Sequence, residues 1–192
     1  MKGRRRQRVF GVPDGFTGQE LVESARDHMR SAILLFETDP YCFDSAGYLA
    51  HLSIELLFKA LLLAISGAFP ARHDLRRLFA LVEQEVPGTS LTERGVQALD
   101  LINGFGGLRY PNPRQPIEVG NDELDLIVSL YNNILSYIPA DMRPAQDPQG
   151  LVTKHGRILM RKSTSKGTPP NRALEPTAPK KRRRRRGSVP GR

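Results

Sequence analysis

Tryptophan is absent from this chain of 192 residues, cysteine occurs once, and aromatic side chains make up only 7% of it. A lone Cys42 excludes an intramolecular disulfide. The basic start MKGRRRQR is followed by no apolar stretch, so no secretory signal is read there. Together these give the expectation of a cytoplasmic chain. Long unbroken hydrophobic runs are missing too. The one membrane candidate, Leu52 to Phe69, is interrupted by Glu55 and Lys59. Its unbroken apolar part, 60–65, falls far short of the roughly 20 residues a span needs. A buried helix, and no membrane partner, is expected instead. His28, His51, His73 and His155 share no ligand spacing with one another or with Cys42, so no metal is expected. GFGG (104–107) has no strand before it and no lysine after it, and no Ser or Cys stands in a nucleophile context. No cofactor is expected.

What is present is charge, unevenly placed. The pI near 10.1 suggests a nucleic-acid binder, but residues 1–8 carry five basic groups and no acid, and residues 148–192 carry fourteen basic groups and one acid. Residues 9–147 carry ten basic groups against nineteen acidic ones. The part able to fold is acidic, and the basicity lies at the ends. This gives a basic flexible arm (1–15), a helical bundle (16–139) and a disordered basic tail (140–192), the tail being rich in Pro, Gly, Ser, Lys and Arg and too poor in apolar surface to offset ordering entropy. Seven consecutive Lys/Arg (180–186) would hold any polyanion without regard to sequence. Just before them, NRALEPTAP (171–179) resembles peptide translated from the recombination repeats of bacterial mobile gene cassettes, which implies read-through of a DNA element over the last 20 or so residues.

Periodicity predicts five helices. Thr17 and Glu20 form a capping box, and Leu21, Ala25, Met29, Ala32 and Phe36 make the buried stripe of a helix over about 18–37 that Asp39-Pro40 stops, with Glu23, Arg26, Asp27 and Arg30 mostly on the wet side. A second helix spans about 43–66 and ends at Gly67. A third, about 74–86, is capped by Asp74 and buries Leu75, Leu78, Phe79, Val82 and Val86. The fourth, about 91–104, follows a Ser90/Glu93 capping box, with Val96, Leu99 and Ile102 as its apolar line. GFGGLRYPNPRQP (104–116) is read as irregular. The fifth, about 122–138, follows Asn121 and carries Leu124, Ile127, Val128, Tyr131, Ile134 or Leu135, and Ile138. No strand is expected. The fold class is all-α, a four-to-five-helix up-down bundle.

The second helix is apolar on nearly every face, yet His51, Glu55 and Lys59 recur every fourth residue and share one face. An apolar helix carrying IELLFKALLL (54–63), then the loop GAFPA (67–71), then HDLRRL (73–78), resembles the HEPN domains, and RYP (109–111) stands where many of them carry a similar triplet. The resemblance covers roughly 17–138. It implies a helical domain and a homodimer. Catalytic HEPN ribonucleases carry R-x(4–6)-H, and two such pairs meeting across a dimer cleave RNA without a metal. Here Arg109 is followed by YPNPRQPIE, with no His at a permitted spacing, so that pair is not carried over.

Two readings stand for each remaining candidate. His73 could bind phosphate or relay protons, or pack under its loop while Asp74 caps the helix. Arg109 and Tyr110 could contact a phosphate and stack a base, or pair with an acid and plug the bundle end. His51, Glu55 and Lys59 could reach a ligand, or form a structural polar stripe at a helix seam. Arg72, Arg76 and Arg77, with Arg109 and Arg114, would make a positive spot suited to a nucleotide or RNA phosphate. The expected function is a non-catalytic binding module, with a homodimer, an antitoxin or a nucleotidyltransferase-like protein as partner. The alternatives are a diverged ribonuclease toxin in which His73 or another His serves, and a purely structural partner-binding bundle.

Overall fold

The computed structural model describes residues 8–38, 42–109, 120–147 and 150–153, all within the first of two compact units, Met1–Met160. Tyr110, Arg114 and the basic run 180–186 lie outside the described residues.

Five helices form: α1 (Gly18–Thr38), α2 (Phe43–Ser66), α3 (Leu75–Glu85), α4 (Glu93–Gly104) and α5 (Asn121–Tyr137). Helix α2 is the axis; it touches each of the other four. Its length and composition would suit a membrane span, but most of its apolar window is buried against its own chain. Fourteen of its residues are buried, including Ile54, Leu57, Phe58 and Leu61 at 1% exposure or less. Burial of this kind stabilises a chain by about 25 cal/mol per Å² of apolar surface removed from water, which is why a helix greasy on nearly all sides sits in the middle. Ser53 is fully buried on α2 and is tolerated because its hydroxyl donates to the Ala25 carbonyl of α1 (2.6 Å). The helix stops at Gly67, whose φ of 68° lies in the left-handed region that glycine adopts freely.

Several expectations change. Two three-residue strands are present: β1 (Val9–Gly11) pairs antiparallel with β2 (Ala68–Pro70), Phe10 opposite Phe69. A strand that short carries no periodic signal. It forms because Phe10, Phe16 and Phe69 pack ring to ring at centroid distances of 5.3–5.9 Å over the end of α2. Residues 9–11 are therefore held in a strand with Phe10 half-buried and Gly11 buried, not part of a free arm, while residues 12–15 stay exposed. The fourth helix is capped by Thr92, whose hydroxyl accepts from the Gly95 N–H, so the Ser90/Glu93 box does not form. Its buried line is Ala98, Leu99 and Ile102, while Val96 is largely exposed. At α5, Gly120 rather than Asn121 is the cap, its N–H donating to Glu123. The stretch expected to be irregular starts with a turn of 3-10 helix at Phe105–Arg109.

The ordered part also runs past 139. A 3-10 turn spans Ala140–Met142, and Leu151 and Thr153 are buried. Arg26, expected on the wet face of α1, is 9% exposed: its guanidinium donates to Asp147 (2.7 Å), Asp27 (3.3 Å) and Gln146. The Asn132 side chain then pairs with both the N–H and the carbonyl of Leu151 at 2.8 Å, as a strand neighbour would. Residues 140–147 and 150–153 are a strap laid over α1 and α5.

Candidate functional site

Taking ionisable groups out of water is costly unless each finds a partner. Helix α2 buries three: His51 at 3% exposure, Glu55 at 3% and Lys59 at 8%. Four-residue spacing stacks them along one face, and Glu55 is the centre. Its carboxylate accepts from the Lys59 ammonium on one side. On the other, His73 Nδ1 lies 3.0 and 3.1 Å from its two oxygens. His51 Nε2 stands at 3.7 Å. Burial alone would raise the Glu55 pKa, but the nearby His51 ring, the hydrogen bonds from Lys59 and His73 and the Lys59 charge outweigh it and hold the carboxyl at about 2. It is a carboxylate throughout the neutral range. Lys59 is steadied further by the Phe69 ring, 5.5 Å from its nitrogen.

Three segments close around this stripe. The turn after β2 returns the chain to α2 and delivers His73, whose side chain is 79% exposed although its Nδ1 reaches a buried carboxylate. Asp74 caps α3, accepting from the Arg77 N–H, and the Asn103 side chain of α4 accepts from the Leu75 N–H at 2.8 Å. The end of α4 supplies the Ile102 carbonyl, which accepts from His51 Nδ1 (2.9 Å). Gly106, in the 3-10 turn, lies flat on the same ring: a methyl group there would stand only 3.0 Å from His51 Cε1 and 3.1 Å from Nε2. Any larger residue there would push the His51 ring back by a few tenths of an ångström.

The result is a cavity of about 370 Å³ with His51, Glu55, His73, Asp74 and Asn103 at its polar wall and Tyr48 and Leu52 beside them. Small-molecule sites run from roughly 300 Å³ upward, so its size suits a small ligand or part of a larger one. A larger hollow of about 840 Å³ lies between α1 and residues 146–147 and 150–152, but its buried polar group is Arg26, already bonded within the chain. The smaller cavity holds the chemistry.

The expected positive spot is weaker than the sequence suggests. Arg76 pairs with Asp100 and Arg77 with Asp74 (3.5 Å). Arg72 is half-buried in the turn before His73. Arg109 ends the 3-10 turn, next to Gly107 of the cavity wall along the chain. The α3 N-terminus is not an open anion cradle, because two of its first N–H groups are taken by Asn103 and Asp74. The structural stripe and the phosphate candidate His73, treated separately in the sequence, are one hydrogen-bonded cluster. Tyr48, Asn103, Gly106 and the Ile102 carbonyl went unnoticed; only the repeated glycines of GFGG hinted at a close backbone approach. Among the described residues no group of three or more His, Cys, Asp or Glu is arranged to hold a metal ion.

The family model of the HEPN domain matches residues 19–138, more than half of the chain. Neither the curated proteins nor the solved structures contain a match. The matched span runs from the start of α1 through α5 and takes in His51, Glu55, Lys59, His73 and Asn103, so the cluster is part of the matched helical core. On its sequence and its five-helix architecture, the chain belongs to the HEPN domain family.

Proposed function

We propose that the chain is a non-catalytic HEPN binding module that takes a nucleotide or RNA phosphate at the cavity between α2, the start of α3 and Phe105–Arg109. The observation that carries this reading is the cluster itself. A carboxylate ionised across the neutral range, two imidazoles and a side-chain amide converge on one small concavity, and Arg72, Arg76 and Arg77 lie near His73 along the chain. Such convergence of polar groups on a pocket is the ordinary signature of a ligand site. The absence of R-x(4–6)-H supports binding over hydrolysis. We further propose the homodimer, and an antitoxin or nucleotidyltransferase-like partner within a toxin–antitoxin or mobile-cassette system, as the setting of that module.

The test is to incubate the full-length protein with labelled RNA and, separately, to titrate it with nucleotides. Binding without cleavage is expected. A second reading, the diverged metal-independent ribonuclease, is favoured by one feature: His73 is held through Nδ1 by Glu55 while its ring is open to solvent, the posture of an oriented base. RNA cleavage in the presence of a chelator, lost on His73→Ala, would replace the first reading with the second. Failure to bind any nucleotide or RNA at millimolar concentration would leave a structural partner-binding bundle.

A further inference from the structure

Within the cavity, one group differs from the rest. Glu55 accepts from Lys59 and His73, and His51 donates to the Ile102 carbonyl. Arg76 and Arg77 are bound to Asp100 and Asp74. His73 alone combines a fixed inner nitrogen with a largely exposed ring at the cavity mouth. With Nδ1–H donating to Glu55, the outer nitrogen Nε2 faces away from the carboxylate. It is an acceptor in the neutral ring and a donor in the imidazolium. A phosphate offers only acceptors, so it is bound well by the second state and poorly by the first.

Resting on the binding reading above, we propose that His73 is the phosphate-contacting residue of the site, that its ligand is a phosphate monoester, and that binding takes up a proton. The proton sits on His73 Nε2, between the ring and a phosphate oxygen, while Nδ1–H stays on Glu55. The charged groups around His73 are consistent with this. From α2 come Glu55, with Lys59 and His51 behind it; from α3 come Asp74, Arg76 and Arg77; Asp100 of α4 holds Arg76, and Arg72 precedes His73 in the turn. Glu55 stays charged across the neutral range, so it anchors the ring without itself accounting for pH dependence there. A cavity of about 370 Å³ fits a mononucleotide fragment better than a stretch of polymer, which favours the monoester over the RNA backbone.

The two phosphate classes differ in how they titrate. A monoester loses its second proton at about pH 6, whereas a diester carries one charge throughout. Binding through an imidazolium therefore peaks near neutrality for a monoester and rises steadily toward acid for a diester. The experiment is calorimetric titration of the full-length protein with AMP and with cyclic AMP from pH 5 to 8, in buffers of different ionisation heat. AMP should bind about tenfold more weakly at pH 8 than at pH 6, with proton uptake seen as buffer-dependent heat. His73→Gln, an exposed change that leaves the fold intact, should hold AMP at the weak pH 8 level at every pH. The basic termini are the same in both proteins, so any sequence-blind attraction they exert cancels in the comparison. AMP binding that ignores pH, or a His73→Gln profile like that of the parent, overturns the inference and leaves the binding reading standing. A steady acid rise with cyclic AMP and none with AMP overturns the monoester assignment. No binding of either, and none of single-stranded RNA, removes both inference and reading.

Discussion

Two polar clusters are buried in this bundle, and they do opposite things with their charges. At the α1 edge, Arg26 uses its guanidinium on Asp147, Asp27 and Gln146, the half-exposed Arg30 joins it on Asp147, and residues 140–147 and 150–153 are clasped to the bundle. At the α2 seam, Glu55 gathers Lys59, His51 and His73, yet one member of that set keeps an exposed ring on a cavity. A closed cluster is architecture; an open one can answer a ligand. The distinction lies in whether the outermost member carries a nitrogen that can change from acceptor to donor, as the exposed His73 imidazole does and the Arg30 guanidinium does not, and not in how many ion pairs are formed.

Breaking the α2 seam should cost most. Glu55→Gln leaves Lys59 buried without a counter-charge, a loss of about 3–5 kcal/mol. For a unit of this size that lowers Tm by roughly 10 °C in a circular-dichroism melt; an unchanged Tm would mean the stripe is not buried as described. Acid should find the same weak point. The folded-state pKa of Glu55, about 2, lies below its ordinary 4.5, so its contribution is complete above about pH 5 and drains away as pH falls toward 2. Denaturant midpoints between pH 5 and 2.5 should fall more steeply for the parent than for Glu55→Gln.

The α1 clasp should prove milder and separable. Asp147→Ala removes one of three partners of Arg26, about 1–3 kcal/mol, and should speed hydrogen exchange at 150–153 while leaving nucleotide affinity unchanged. Altered affinity would tie the strap to the cavity and dissolve the contrast between the clusters. Gly106→Ala should cost about 1–2 kcal/mol by pushing on the His51 ring, and should shift the His51 imidazole resonances in NMR spectra. Smallest of all, His73→Ala should change stability by less than about 1 kcal/mol, since the side chain is 79% exposed and Glu55 keeps Lys59. A large loss there would make His73 a structural residue after all.

The helices were legible because an apolar stripe repeats at 3.6 residues, and α1, α2, α3 and α5 follow it within a residue or two of the expected ends. The β1–β2 pair was not, because three-residue strands have no period and depend on Phe69 meeting Phe10 and Phe16 from a distant part of the chain. Arg26 read as a wet-face residue for a similar reason. Its partners Gln146 and Asp147 are more than a hundred residues away, in a stretch whose composition suggested a tail.

The composition and spacing of residues 17–138 were enough to determine an all-α bundle around α2, the placing of His51, Glu55 and Lys59 on one face, and the absence of R-x(4–6)-H, because these are local or periodic properties of the chain. Only the folded chain decided that His73 belongs with that face, that Asn103 and Gly106 complete its cavity, and that Arg76 is already paired with Asp100. Those facts depend on which distant segments share a few ångströms of space. Hydrogen bonds and ion pairs act at that range, and no local pattern in the chain encodes it.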